Sequence, residues 1–201
     1  MTDSAAAPRR LLSFEFVGLC SVSFLAFCNV TVFYDLFGYL SMLGIPAELR
    51  GLVIGGYSLT AMALYLVASP LLSFANAPRT MFLGLAVLAA SGLAYLHVHS
   101  FWGLLTLRML NGAGQFCVGA GAMALLVAVI PHEKSGQAFG IYSVAILLAY
   151  AFVPAVMDAL APLVRTPPRG YAAATLSLLP AAWIVWRIRR RHRGEHRSAP
   201  A

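Results

Sequence analysis

Six long apolar stretches follow one another along this chain, separated by short polar turns. Residues 16–33, 52–74, 80–107, 109–131, 135–157 and 170–186 contain no Asp, Glu, Lys or Arg. The hydrocarbon layer of a bilayer is about 30 Å thick and a helix rises about 1.5 Å per residue, so about 20 apolar residues cross it. Each stretch is long enough, the last one when lightly tilted. None alternates with the period of two that a membrane β-strand requires. Backbone amides in lipid must be bonded within their own segment. The pattern therefore predicts an all-α, polytopic membrane protein with six transmembrane helices.

Gly, Pro and polar clusters between the stretches set the expected boundaries. The first helix runs from about Leu11 into the region 30–37 and exits at Leu43-Gly44-Ile45-Pro46. The second opens at Gly51 and closes near Ser69-Pro70, and a loop over 73–78 leads to the third at about Arg79. A turn over 97–100 precedes the fourth, which starts near Phe101-Trp102 and ends at Pro131. The fifth follows the loop 132–136 and extends to about Asp158, and the loop 162–169 leads to a sixth over about 171–187. Residues 1–10 form an N-terminal tail, 11–188 the bundle, and 189–201 a basic C-terminal tail. No second domain is visible.

Composition agrees with the pattern. Charged residues make up 10% of the chain against about 25% in soluble domains, hydrophobic types 60%, and mean hydropathy is +0.80. That much apolar surface aggregates in water. The net charge of +7 reads as membrane topology, not as a nucleic-acid signal. With the N-terminus cytoplasmic, Arg9, Arg10, Arg79, Lys134 and the basic residues from Arg187 to Arg197 lie inside. Only Arg50, Arg165 and Arg169 lie outside. That bias follows the positive-inside rule and places both termini in the cytoplasm of a plasma or inner membrane. The basic tail, preceded by Trp183 and Trp186, serves as a topological anchor and a contact for anionic head groups.

Other chemistry is sparse. Cys20, Cys28 and Cys117 fall inside predicted helices as small hydrophobes, with neither disulfide nor zinc spacing. The N-terminus lacks the cleavage site of a secretory signal, and Glu15 interrupts its apolar region. His97 and His99 read as loop histidines, and His132-Glu133 lacks the second histidine of a zinc-protease helix. No phosphate-cradling loop or nucleophile triad is present, so no enzyme, metal site or cofactor is expected.

Arg108 is the sharpest feature. An arginine inside a spanning helix costs about 2.5–3.5 kcal/mol on insertion scales, so it faces a cavity or a partner unless it snorkels to an interface. Its pattern, Arg108-Met109-Leu110-Asn111-Gly112-Ala113-Gly114, places a glycine on the arginine's own face, with Gly119 and Gly121 continuing a small-residue seam. Gly51, Gly55 and Gly56, and Gly136 with Gly140, read as further packing seams. Asp35 is a second candidate, near the outer end of the first helix beside Tyr34, with Asn29 earlier on the same helix. A carboxylate in low dielectric suits proton coupling, whereas one already in the aqueous interface does not. Asp158 reads as interfacial.

These motifs resemble the major facilitator superfamily, specifically its N-terminal six-helix half. The family's fourth helix carries Arg-x-x-x-Gly-x-Gly, matched by Arg108, Gly112 and Gly114. Its following loop reads Pro, an acid, a base and Gly-x-x-x-Gly, matched here from Pro131 through Glu133, Lys134 and Gly136 to Gly140. The turn Leu43-Gly44-Ile45-Pro46 followed by Gly51-Leu52 is also similar. The resemblance spans residues 11–188 and implies transport of a small solute by alternating access. Arg108 is then the buried charge, Asp35 a proton or substrate site, and Asn29, Tyr34 and Gln115 line the cavity.

Two departures stand out. Ser73 occupies the place of the loop aspartate that latches the two halves of the family's transporters, and the fifth helix offers Tyr150, Pro154 and Asp158 in place of a Gly-Pro antiporter signature. Six helices also supply one wall of a pathway that needs two. A homodimer, a partner half on a separate chain, or a non-transporting regulatory half or fragment all satisfy the sequence. The bilayer and an unidentified small molecule are the expected partners, and nucleic acid is not.

Overall fold

The computed structural model describes residues 12–164 and 166–198, with side chains through residue 191. The N-terminal tail 1–10, Arg165 and the distal basic side chains of the C-terminal tail lie outside the described residues. Six helical spans are long and apolar enough to cross a membrane, and no strand occurs among the described residues.

The first span, Phe14–Met42, consists of α1 (Phe14–Thr31), a 3₁₀ turn (Val32–Asp35) and α2 (Leu36–Met42). Ser13 caps α1 by accepting from the Phe16 amide at 3.2 Å. The break at 32–35 was not anticipated. Phe33 leaves helical geometry (φ −83°, ψ 16°), although neither Gly nor Pro is present there. The span then continues well beyond the expected 30–37, which leaves Asp35 about two turns short of its end.

The exit is a Schellman turn. Ile45 donates to the Leu40 carbonyl at 3.1 Å and Gly44 to that of Ser41 at 3.0 Å, with Gly44 at φ +72°. Leu40 and Ile45 are both buried, and Arg50 Nε donates to the Ile45 carbonyl at 2.8 Å. α3 (Ala47–Ala68), ending in a 3₁₀ turn (Ser69–Leu71), forms the second span. α4 (Ala77–Ala94) is the third, with proline in its first turn. α5 (Phe101–Val129), capped by Ser100, is the fourth.

The fifth span joins a 3₁₀ turn (His132–Lys134) to α6 (Ser135–Val164), which carries Pro154 and Pro162 inside it. Pro162 was expected to open a loop, yet the helix runs through it. Spanning helices tolerate proline because neighbours and local adjustments re-satisfy the freed carbonyl. The sixth span comprises α7 (Pro167–Ala174), a 3₁₀ turn (Thr175–Ser177) and α8 (Leu178–Ser198). α8 thus continues past residue 188, where a tail was expected to begin.

α5 occupies the middle of the bundle, packing on α3, α4 and α1, and α1 also meets α6 and α8. Burial follows that arrangement: 67% of the apolar stretch of the first span and 56% of the fourth are buried, against 11% for the second and fifth. Two apolar clusters fill the bundle. One includes Phe16, Met81, Leu126 and Ile188; the other includes Leu36, Leu40, Tyr95 and Leu104. In lipid such burial supplies little hydrophobic driving force, because acyl chains are as apolar as leucine, and close packing and buried hydrogen bonds matter more.

Cross-span bonds pin the helices. Ser23 donates to the Tyr142 hydroxyl at 2.9 Å, and Ser177 to the Leu25 carbonyl at 3.1 Å. The guanidinium carbons of Arg187 and Arg191 lie 5.8 and 4.3 Å from the Phe14 ring, and that of Arg190 lies 3.8 Å from Trp186. The start of the first span and the end of the sixth therefore share one side of the bundle, with cations on aromatic faces as suits a membrane interface.

Candidate functional site

α5 is wedged between its neighbours by glycine. A Cβ on Gly84 would stand 2.6 Å from the Gly114 carbonyl, and one on Gly114 would stand 3.0 Å from the Gly84 carbonyl. On the other side Gly112 abuts the Tyr57 carbonyl of α3. Backbone meets backbone in both directions, and larger residues there would force α5 away. Gly51, Gly55, Gly136 and Gly140 behave differently from the packing seams expected of them. A Cβ on any of them meets nothing within 4 Å, because α3 and α6 turn these glycines away from the rest of the bundle.

Close packing on both sides leaves α5 one polar stripe, formed by Arg108, Asn111 and Gln115. Spacings of three, four and seven residues put all three on a common face. All three are buried, with Arg108 6% exposed. Both polar atoms of the Asn111 side chain are bonded across the α4 contact. Its Oδ1 accepts from the Tyr95 hydroxyl at 3.2 Å and its Nδ2 donates to Ser91 Oγ at 2.6 Å. Ser91 in turn donates to the Leu88 carbonyl at 3.1 Å. Gln115 Oε1 is buried without a hydrogen-bond partner, as are both side-chain polar atoms of Asn29 on α1.

Arg108 is held by rings. Its guanidinium carbon lies 4.9 Å from the centre of the Phe33 ring and 5.0 Å from that of Tyr57, while Nε and Nη1 have no hydrogen-bond partner. The break at 32–35 is what presents Phe33 here. Phe33 also stacks on Tyr95 (4.8 Å) and Tyr171 (4.3 Å), and those two rings meet at 5.4 Å. The cage draws on the first, second, third and sixth spans. Such cation–π contacts supply about 0.5–2 kcal/mol each, which offsets part of the cost of an intramembrane charge.

Tyr34 and Asp35, in the same break, are exposed and line a cavity of about 270 Å³ against α6 and α7. Tyr34 donates its hydroxyl hydrogen to Asp158 Oδ1 at 2.7 Å, linking the first span to the fifth. Tyr171 closes the wall. Tyr34 and Asp35 are thus brought together with Asp158, and the ring chain Tyr171–Phe33 connects their cavity to Arg108. Asn29 and Gln115 do not line that cavity.

The sequence reading did not single out Asn111, Ser91, Tyr95, Phe33, Tyr57 or Tyr171. The signal available for Asn111 was its place three residues after Arg108 on an apolar helix. Ser91 and Tyr95, four apart on the third span, gave a weaker one. The three cysteines are free, and no group of three metal-ligating side chains occurs among the described residues.

No curated protein and no solved structure matches the chain. The family model for the Major Facilitator Superfamily does match it, over residues 19–201. Six membrane-length helices, in the order and with the fourth-span arginine and glycines described above, accompany that match. The chain belongs to the major facilitator superfamily and is a membrane transport protein, not an enzyme.

Proposed function

We propose that this six-helix bundle forms one wall of an alternating-access pathway for a small solute and works against a second six-helix bundle applied to α3 and α6. The observation that carries this reading is the face these two helices leave open. Their apolar stretches are only 11% buried, and Gly51, Gly55, Gly136 and Gly140 stand uncovered on them. Lipid alone asks only for apolar side chains, whereas glycines four residues apart are how spanning helices bring their backbones together.

In this reading Arg108 is the fixed positive charge of the pathway and Asp35 its proton- or substrate-binding carboxylate. Asn29, Tyr34 and Gln115 are polar wall. Both termini face the cytoplasm of a plasma or inner membrane, supported by the basic residues around Arg187–Arg191 and by Lys134 and Arg79 on the same side.

One observation favours a non-transporting assembly or regulatory role instead. The loop between the second and third spans lacks the latch aspartate and closes on itself through Asn76. That side chain accepts from the Ser73 amide and donates to the Leu71 carbonyl, both at 2.8 Å.

A photo-crosslinking residue at Leu59 on α3 or Leu148 on α6, in native membranes, tests the pairing. Both positions are exposed in the bundle, as is Leu83 on α4, which serves as control. Mass-mapped crosslinks to a second helical bundle from 59 and 148, and none from 83, are expected. Equal yields from all three, or lipid adducts only, would overturn the reading.

A further inference from the structure

The sixth span carries an exposed stripe that changes from apolar to cationic along its length. Leu176, Leu179 and Trp183 are exposed at spacings of three and four, and Arg187 follows four residues later on the same face. Trp186 and Arg190, also four apart and exposed, repeat the change beside it. Tryptophan marks the level of the head groups, so these arginines stand where phosphates lie and the leucines run along acyl chains.

Three of the cations rest on rings. The guanidinium carbon of Arg187 lies 5.2 Å from the centre of the Trp183 ring and 5.8 Å from that of Phe14. That of Arg191 lies 4.3 Å from the same Phe14 ring, and that of Arg190 lies 3.8 Å from Trp186. Phe14 opens α1, so Arg187 and Arg191, one turn apart on α8, straddle the seam between the first and sixth spans. Among the described residues no hydrogen bond or ion pair engages these three guanidiniums, and a guanidinium fork matches two phosphate oxygens.

Charge is in excess here whatever its local pairing. Over residues 1–15 and 183–201 the sequence holds eight arginines against three acids, Asp3, Glu15 and Glu195, which leaves five positive charges over. All six bases from Arg187 to Arg197 are arginine, although a topological anchor is served equally by lysine. Arginine is the residue that recognises phosphate through a planar fork and stacks on rings. A soluble anion or a nucleic acid has no use for the leucine stripe. A phospholipid brings phosphate and acyl chain in one molecule.

We propose that Arg187 and Arg191, set on Phe14, hold the phosphate of one anionic phospholipid. Arg190 on Trp186 is the third cation, and the acyl chains lie along Leu176, Leu179 and Trp183. The bound lipid ties the first span to the sixth. The site stands independently of the transport reading.

Tryptophan quenching in the full chain tests it. Of the three tryptophans, Trp102 opens the fourth span at the other end of the bundle, so Trp102→Phe leaves Trp183 and Trp186 as reporters. The protein is placed in phosphatidylcholine vesicles that contain either phosphatidylglycerol or phosphatidylcholine with brominated acyl chains. Half-maximal quenching is expected at a mole fraction about tenfold lower for the brominated phosphatidylglycerol. Arg187→Gln combined with Arg191→Gln should abolish that preference. The corresponding pair of lysine substitutions should lose most of it, because lysine keeps the charge without the fork. Phe14→Leu keeps every charge and should reduce the preference about threefold. Lys134→Gln, in the loop before α6, should leave it unchanged.

Melting curves identify any variant that misfolds, and the milder lysine pair and Phe14→Leu keep the test decisive if the glutamine pair does. A lysine pair indistinguishable from the parent would reduce the arginines to an anchor of charge alone and overturn the site. So would equal quenching by the two brominated lipids. Relief of quenching by millimolar inorganic phosphate, beyond that by chloride at equal ionic strength, or by micromolar single-stranded RNA, would also overturn it.

Discussion

The guanidinium carbon of Arg108 stands 4.9 Å from the centre of the Phe33 ring, with Nε and Nη1 unbonded. A charge kept this way inside an apolar bundle costs stability. Insertion scales place the cost at about 2.5–3.5 kcal/mol, of which ring contacts return part. Arg108→Met should therefore raise thermal stability, by on the order of 1 kcal/mol, while abolishing solute flux. Arg108→Lys should not restore flux, because an ammonium does not reproduce the planar stack on Phe33 and Tyr57. Melting curves and proteoliposome uptake check both statements. A destabilised Arg108→Met variant with normal flux would assign the arginine a purely structural role.

Asn111 carries the α4–α5 contact through its bonds to Ser91 and Tyr95. Interhelical hydrogen bonds in membranes average about 0.6 kcal/mol, so Asn111→Leu should cost about 1 kcal/mol. A double-mutant cycle with Ser91→Ala isolates the shorter bond, and a coupling energy indistinguishable from zero would show that bond to be idle.

Glycines divide into two classes by what they touch. Gly84→Val places carbon against the Gly114 carbonyl and should destabilise the bundle by about 1–3 kcal/mol, as overpacking does. Gly140→Ala meets nothing within the chain. It should leave the melting of the isolated bundle unchanged yet weaken association with a second bundle. Chemical denaturation of monomer and crosslinking yield in membranes separate the two effects.

Gly44 has φ +72° at the end of the first span. Gly44→Ala should cost about 1 kcal/mol, the penalty of a left-handed conformation for a residue with Cβ. Gly44→Asn should cost less, and equal melting temperatures for the three proteins would refute the turn as a contributor.

Much of the architecture is legible because lipid demands so much of a sequence. A run of about 20 uncharged apolar residues has few other uses, and one arginine within such a run identifies itself. The break at Val32–Asp35 was not legible, since no Gly or Pro marks it and tertiary contacts of Phe33 with Tyr95 and Tyr171 set it. Pro162 misled in the opposite direction, because proline ends a helix in water more reliably than it does in a membrane. The Tyr34–Asp158 bond joins residues 124 positions apart. No local pattern encodes such a pairing, so Asp158 read as an isolated interfacial acid.

Solute flux through one wall needs another, and that is the claim to test most directly. Native mass spectrometry of the protein, extracted from its own membrane into lipid nanodiscs, reads the assembly as a mass. A species heavier than the 21.5 kDa of these 201 residues by a second six-helix bundle is the result this account predicts. A bare 21.5 kDa chain persisting across lipid compositions, with α3 and α6 covered by lipid alone, would contradict it.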